Sequence, residues 1–219
     1  MALKEDNRLY QEGNKALANK EYDKAVELFT QASEMGNYFA TYNLGCMYYF
    51  GDGVEKDEKK SFDYFMLASN QGDAEAANRV GVMYEQGIGV EKDESKALKY
   101  YFNSANSNSL SGMANLGICL IEGRGISQNV EVGLEWLNKA SEKGNGVAST
   151  KLAHFYTNGI NVEQDYKKAL KYLERGMDQK YSEAVLELAR FYKEGLGVEK
   201  DLEKAKELEE LAPNIFVED

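Results

Sequence analysis

Small residues stand at Gly45, Gly81, Gly117, Ala153 and Ala189, each 36 positions after the last. Three places after each comes an aromatic or leucine (Tyr48, Tyr84, Leu120, Tyr156, Tyr192), and six places after each a glycine (Gly51, Gly87, Gly123, Gly159, Gly195). Twelve places on stands an Asx residue (Asp57, Asp93, Asn129, Asp165, Asp201), and sixteen on a small one (Ser61, Ala97, Gly133, Ala169, Ala205). A period of this length marks stacked units, each touching only its neighbours. Such a chain presents an extended surface rather than an enclosed pocket, so its expected task is binding.

One period reads as two helices. Between Ala40 and Phe50, apolar or small residues fall at Ala40, Leu44, Gly45, Met47 and Tyr48, the spacing of one helix face. Gly51–Gly53 then ends the helix, because glycine accepts a left-handed backbone. Val54 is expected to tuck onto the core, as are Val90, Ile126, Val162 and Val198. Asp57 is placed to cap a second helix running to about Ala68, with Phe62, Tyr64 and Phe65 on its buried side. Gly45 is expected to face Ser61, so that the two helices approach closely.

Composition narrows the function. A single proline, Pro213, leaves the helices before it uninterrupted. A net charge of −11 repels phosphate backbones, so no nucleic-acid partner is expected. No apolar run is long enough to span a membrane. The start, MALKEDNRLYQ, lacks a signal-peptide pattern, and two cysteines make no disulfide framework. The expected address is therefore the cytoplasm.

The segments 42–61 (YNLGCMYYFGDGVEKDEKKS), 78–97 (NRVGVMYEQGIGVEKDESKA) and 186–205 (LELARFYKEGLGVEKDLEKA) resemble the Sel-one-like repeat family, a branch of the tetratricopeptide-like helical hairpins. The resemblance implies an all-α fold, a right-handed α/α solenoid of stacked helical hairpins. Two copies depart from the pattern: the third has Leu120 and Asn129, and the fourth has Ala153 and Asn161 for glycines. Residues 9–32 look like an ordinary tetratricopeptide unit without the longer loop. The expected organisation is one continuous solenoid: a tetratricopeptide-like hairpin at 1–36, five repeats over 37–212, and a tail at 213–219. Lys206 and Glu209 replace apolar residues of earlier copies, which marks the end of the array. The sequence leaves open whether Ile215, Phe216 and Val217 dock.

Catalytic signatures are missing. The Gly-rich loops have no Lys-Ser/Thr for a phosphate, and the Glu-Lys-Asp-Glu clusters read as caps beside solvated charges. Cys119 shares a column with Met47, Met83, Phe155 and Phe191 and reads as core, while Trp136 aligns with packing tyrosines. Neither Cys46 nor His154, the only histidine, has a base or orienting partner in sequence. No enzyme activity, cofactor or metal site is expected.

Resemblance to tetratricopeptide hairpins puts three positions of each first helix on the concave face. These are Tyr42, Cys46, Tyr49; Asn78, Val82, Glu85; Ala114, Ile118, Ile121; Thr150, His154, Thr157; and Leu186, Arg190, Lys193. The stripe runs from aromatic to basic and suggests a groove for a protein or peptide, with the chain acting as a monomeric, noncatalytic adaptor. Two other functions stay open. One is a chaperone cofactor gripping a terminal carboxylate, where Asn14 fits but Tyr10 and Cys46 depart from the clamp pattern. The other is a hydrolase like that suggested for cysteine-rich relatives, whose paired cysteines this chain lacks.

Overall fold

The computed structural model describes residues 4–215. Among them are twelve α-helices and no strand, with 74% of residues helical. The helices are α1 (Glu5–Ala18), α2 (Tyr22–Glu34), α3 (Tyr38–Phe50), α4 (Glu58–Asn70), α5 (Ala74–Gln86) and α6 (Glu94–Asn106), followed by α7 (Leu110–Glu122), α8 (Val130–Glu142), α9 (Gly146–Asn158), α10 (Tyr166–Asp178), α11 (Ser182–Glu194) and α12 (Leu202–Leu211). They fall into two compact units, 1–112 and 113–219. Within the first, α1 to α6 pack in chain order; within the second, α8 to α12 do the same. Contacts between neighbours in sequence are what the 36-residue period demands.

Each long loop is closed by the residues that recur. At Gly87 the backbone turns left-handed, with φ +73°, and its N–H donates to Met83 O at 2.8 Å. Asp93 then donates its N–H to Tyr84 O at 2.8 Å and accepts Lys96 N–H at 2.9 Å on its carboxylate. Asp57, Asn129, Asp165 and Asp201 cap their helices in the same way. Gly89 cannot carry a side chain for another reason: a Cβ there would lie 2.1 Å from Glu58 O. Asn161 replaces glycine at the matching place with φ +59°, a conformation that asparagine tolerates better than most residues. Ile126 departs from expectation. It is 47% exposed rather than tucked in, and its loop is instead held by Gln128, whose Nε2 donates to Ile121 O at 2.6 Å.

In four successive hairpins the small residue of the first helix (Gly45, Gly81, Gly117, Ala153) lies under a large one twenty positions on (Phe65, Tyr101, Leu137, Leu173). A Cβ on Gly45 would come 2.8 Å from the Phe65 ring, and one on Gly81 would come 2.6 Å from Tyr101. Ser61 lies beside the same contact, donating its hydroxyl to Gly45 O at 2.8 Å. Where the partner is the slimmer Leu173, the small residue is Ala153. At the far end, Lys206 pairs with Glu210 and Glu209 with Lys193, all exposed. A 3-10 turn at Ala212–Asn214 follows, and Ile215 packs on the last core cluster. Phe216 and Val217 lie outside the described residues.

Two outcomes test this packing. Gly81→Ala should destabilise the chain by about 1–3 kcal/mol, less its gain in helix propensity. In a Tyr101→Leu background the same change should cost at least about 1 kcal/mol less, measured as the coupling term of a urea-denaturation cycle. Additive effects would refute the ring-over-glycine contact.

The second outcome concerns Asp73, the buried N-cap of α5, which accepts Ala76 N–H at 2.6 Å. Burial raises its carboxyl above the usual range, and the amide hydrogen bonds from Ala76 and Glu75 only partly oppose this. A raised carboxyl binds its proton more tightly folded than unfolded. Its contribution is therefore full below the unfolded carboxylate range and lost as pH rises through the folded value. Asp73→Asn, which copies the caps Asn37 and Asn145, should raise the urea midpoint at pH 7 and leave it unchanged near the acid end of that range.

Candidate functional site

In the unit 1–112 the open stripe of α3 carries Phe39, Asn43, Cys46 and Phe50, spaced i, i+4, i+7, i+11 along one face. Phe39 is 47% exposed and Phe50 69%. Between α3 and α5 lies a small open cleft. Cys46, Tyr49 and Phe50 form one wall, and Val82, Met83 and Ile88 the other; Phe65 lies behind and Arg79 is the one charged group in the lining. Tyr42 sits beside this cleft. Its ring packs on Phe65 at 5.3 Å and its hydroxyl accepts a hydrogen bond from Arg79 Nε at 3.2 Å. Burial, reinforced by the neighbouring Cys46, pushes its phenol up to about 12. Tyr42 thus stays neutral and holds the guanidinium in place. Burial likewise pushes the Cys46 thiol up, although Arg79 and the Tyr42 hydroxyl pull the other way.

Next to this cleft, Asn43 Nδ2 donates to Asn14 Oδ1 at 3.1 Å, joining α3 to α1. Asn14, the position that fits a clamp, thus has its side-chain oxygen engaged by Asn43. Tyr10 stacks on Phe39 at 5.7 Å. The stacked pair places aromatic surface where a terminal carboxylate would need a cation.

The unit 113–219 has a cleft of different character, lined mostly by polar side chains. Thr150, Lys151, His154, Thr157 and Asn158 of α9 face Glu183, Glu187 and Arg190 of α11 across it. Arg190 pairs with Glu187 at 2.7 Å and Glu194 at 3.6 Å, and Lys193 with Glu209 at 3.4 Å. The basic end read from the sequence is therefore charge-balanced by acids of its own and neighbouring helices.

The sequence-predicted positions divide accordingly. Cys46, Tyr49 and Val82 share the apolar cleft; Thr150, His154, Thr157 and Arg190 share the polar one. Ile118 and Ile121 are buried, at 8% and 0% exposure, as is Ala114. Asn78 is buried and donates to Glu75 at 3.3 Å, while Glu85 accepts the Tyr101 hydroxyl at 3.2 Å. Leu186 and Lys193 are exposed. Sequence reasoning missed Phe39, Asn43, Phe50 and Arg79. For Asn43 and Arg79 the signal was present one residue further on, where the column Asn43, Arg79, Asn115, Lys151, Glu187 varies as freely as the one beside it.

Among the described residues no His, Cys, Asp and Glu cluster could hold a metal ion, and no helix is long and apolar enough to cross a membrane. Consecutive helical hairpins with open clefts on their first helices define an α/α repeat protein. The Sel1 repeat profile matches residues 8–37, 39–73, 74–109, 110–145, 146–181 and 182–212, and the chain belongs to the Sel1 repeat family. Such repeats are generally protein-interaction scaffolds.

Solved structures agree on the fold. A protective antigen of uropathogenic Escherichia coli strains, c5321, displays an SLR fold and is 27% identical over 96% of this chain, with a TM-score of 0.79. This chain spans 46% of that protein, about half its length. A Sel1 repeat protein from Oxalobacter formigenes is 28% identical over 94% of this chain and 84% of its own, with a TM-score of 0.84. The immunity protein Pa5087 of Pseudomonas aeruginosa, 24% identical over 98% of this chain and 84% of its own, shares the fold with a TM-score of 0.71. None of the curated proteins matches the chain.

Neither cysteine forms a disulfide; Cys46 is half-buried and Cys119 is buried at 2% exposure. Alkylation of the native chain should modify Cys46 first. Its rate should keep climbing with pH beyond the ordinary thiol range, because the thiolate is the nucleophile. Equal slow labelling of both would contradict an open cleft at Cys46.

Proposed function

We propose that the chain is a noncatalytic adaptor that binds a segment of a partner protein along the open stripe of its first helices. The observation that supports this reading best is the apolar cleft beside Phe50. A large ring left 69% exposed next to an open cleft is surface that gains from being covered by another protein. The polar cleft, where Lys151, His154 and Asn158 face Glu183 and Glu187, offers a second station of polar side chains. A cytoplasmic monomer acting on protein partners, without nucleic acid, membrane, cofactor or metal, fits the same reading.

The two alternatives have less behind them. For a carboxylate clamp, Asn14 and Asn43 already bond each other, and Tyr10 stacks on Phe39 instead of supplying charge. For a hydrolase, Cys46 has a thiol raised rather than lowered by its surroundings, the reverse of an activated nucleophile. The ring nitrogen of His154 meets only Asn158.

Phe50→Ala combined with Val82→Gln should weaken capture of the partner by roughly tenfold or more while the melting temperature moves little. Tyr42→Ala should behave differently. Its ring and hydroxyl are engaged within the protein, so the change should cost about 1–2 kcal/mol of stability as well. Undiminished binding by the Phe50/Val82 double variant, scored by titration against a partner isolated with the wild-type chain, would refute the assignment of the cleft.

A further inference from the structure

The chemistry of that cleft points to a particular class of partner segment. Its lining is apolar except for Arg79, and it is open on one side. Arg79 spends Nε on the Tyr42 hydroxyl, a neutral acceptor. Among the described residues no carboxylate lies within ion-pair distance of it, whereas Arg8, Arg124 and Arg190 each hold one at 3.6 Å or closer. The nearest acid on its own helix, Glu75, is occupied by Ser109 at 2.9 Å and Asn78 at 3.3 Å. Arg175 also lacks a carboxylate, but it donates to the buried Ser141 hydroxyl and lies over the Tyr172 ring. Arg79 alone combines a guanidinium that has no carboxylate within ion-pair distance, only the longer-range attraction of Glu75, with a place in an apolar cleft. In a chain of net charge −11, such a cation is a selective mark for an acid.

We infer that the cleft between α3 and α5 selects segments that set a large apolar side chain within about three residues of an Asp or Glu, the pitch of one helical turn. The apolar group enters between Phe50 and Val82, over Phe65. The side-chain carboxylate meets the free end of the Arg79 guanidinium, whose two terminal nitrogens match a carboxylate's two oxygens. Tyr42 positions that guanidinium, so little order has to be created on binding. This inference rests on the scaffold reading above and narrows it to a recognition rule.

The test pans a library of random twelve-residue peptides, displayed without a free C-terminus, against the full chain and against its Arg79→Gln and Val82→Gln variants. Melting curves first establish that each variant is folded. The wild-type chain should enrich peptides pairing Leu, Phe or Met with a nearby Asp or Glu. Arg79→Gln should keep the apolar preference and lose the acidic one, and Val82→Gln should lose the enrichment altogether. For a synthetic, C-terminally amidated peptide of the selected sequence, acid→amide in the peptide and Arg79→Gln in the protein should each weaken binding by roughly tenfold, with no further loss when combined. Arg79→Lys should recover part of the affinity. Enriched peptides that need Val82 but show no acidic preference, or show it equally on Arg79→Gln, would overturn this inference and leave the scaffold reading standing. The absence of any Val82-dependent peptide would overturn both.

Discussion

The fold depends on how closely the two helices of a hairpin can approach, and one contact sets that distance. The backbone of Gly45 lies against the Phe65 ring and that of Gly81 against Tyr101, with no room for a methyl group at either place. Interiors are packed densely enough that a gap of one methyl is felt, so the two positions are chosen together. Gly117 shows the same rule with aliphatic partners: a Cβ there would come 2.8 Å from both Leu137 and Gly133 O. At Ala153 a methyl group is accommodated, with Ala153 and Leu173 each buried at 1% exposure; Leu137 beside Gly117 shows that a leucine partner alone does not make that room.

A second coupled set ties each loop to its hairpin. Lys60 lies over the Tyr48 ring at 5.2 Å, Lys96 over Tyr84 at 5.3 Å and Lys168 over Tyr156 at 5.1 Å. The same lysines reach back to the capping Asp57, Asp93 and Asp165, at 3.8, 3.3 and 3.9 Å. Those tyrosines stack in turn on Tyr64, Tyr100 and Tyr172. In the third repeat the ring is absent at Leu120, the lysine is absent at Val132, and the cap is the neutral Asn129. Three substitutions that look independent in sequence are one change, because the cation has lost both of its partners. Exposed ion pairs of this kind contribute little singly; here they share a register with a ring stack and a helix cap.

Period, caps and core were legible in the sequence because they repeat. Asp57 and its four counterparts cap as their spacing predicts, and Cys119 is buried as its column implies. The open surface was legible only in part. A stripe of three positions per helix is defined to within one residue, about 100° around the axis. An error of that size separates Tyr42, packed on Phe65, from Asn43 on the open side. The apolar cleft was legible in part, through Cys46, Tyr49 and Val82 of the stripe; Phe50 and Ile88, which complete it, lie outside the columns read from the period. Pairing of Arg190 with Glu187 and Glu194 follows i,i+3 and i,i+4 spacing and was present in the sequence, whereas the pairing of Lys193 with Glu209 joins two helices and needed the fold.

Function follows from what the repeat leaves unspecified. Columns tied to capping and packing are constrained by their neighbours, while the outer positions of the first helices vary from copy to copy. In the adaptor reading proposed above they form two stations: an apolar one between α3 and α5, and a polar one between α9 and α11. Hydrogen exchange on the chain with and without a bound partner segment tests that division most directly. The account predicts slowed exchange in the outer turns of α3 and α5, spanning residues 43–50 and 79–88, with the loops at 52–56 and 124–128 unchanged. Protection confined to those loops or to the second helices α4 and α6 would contradict it.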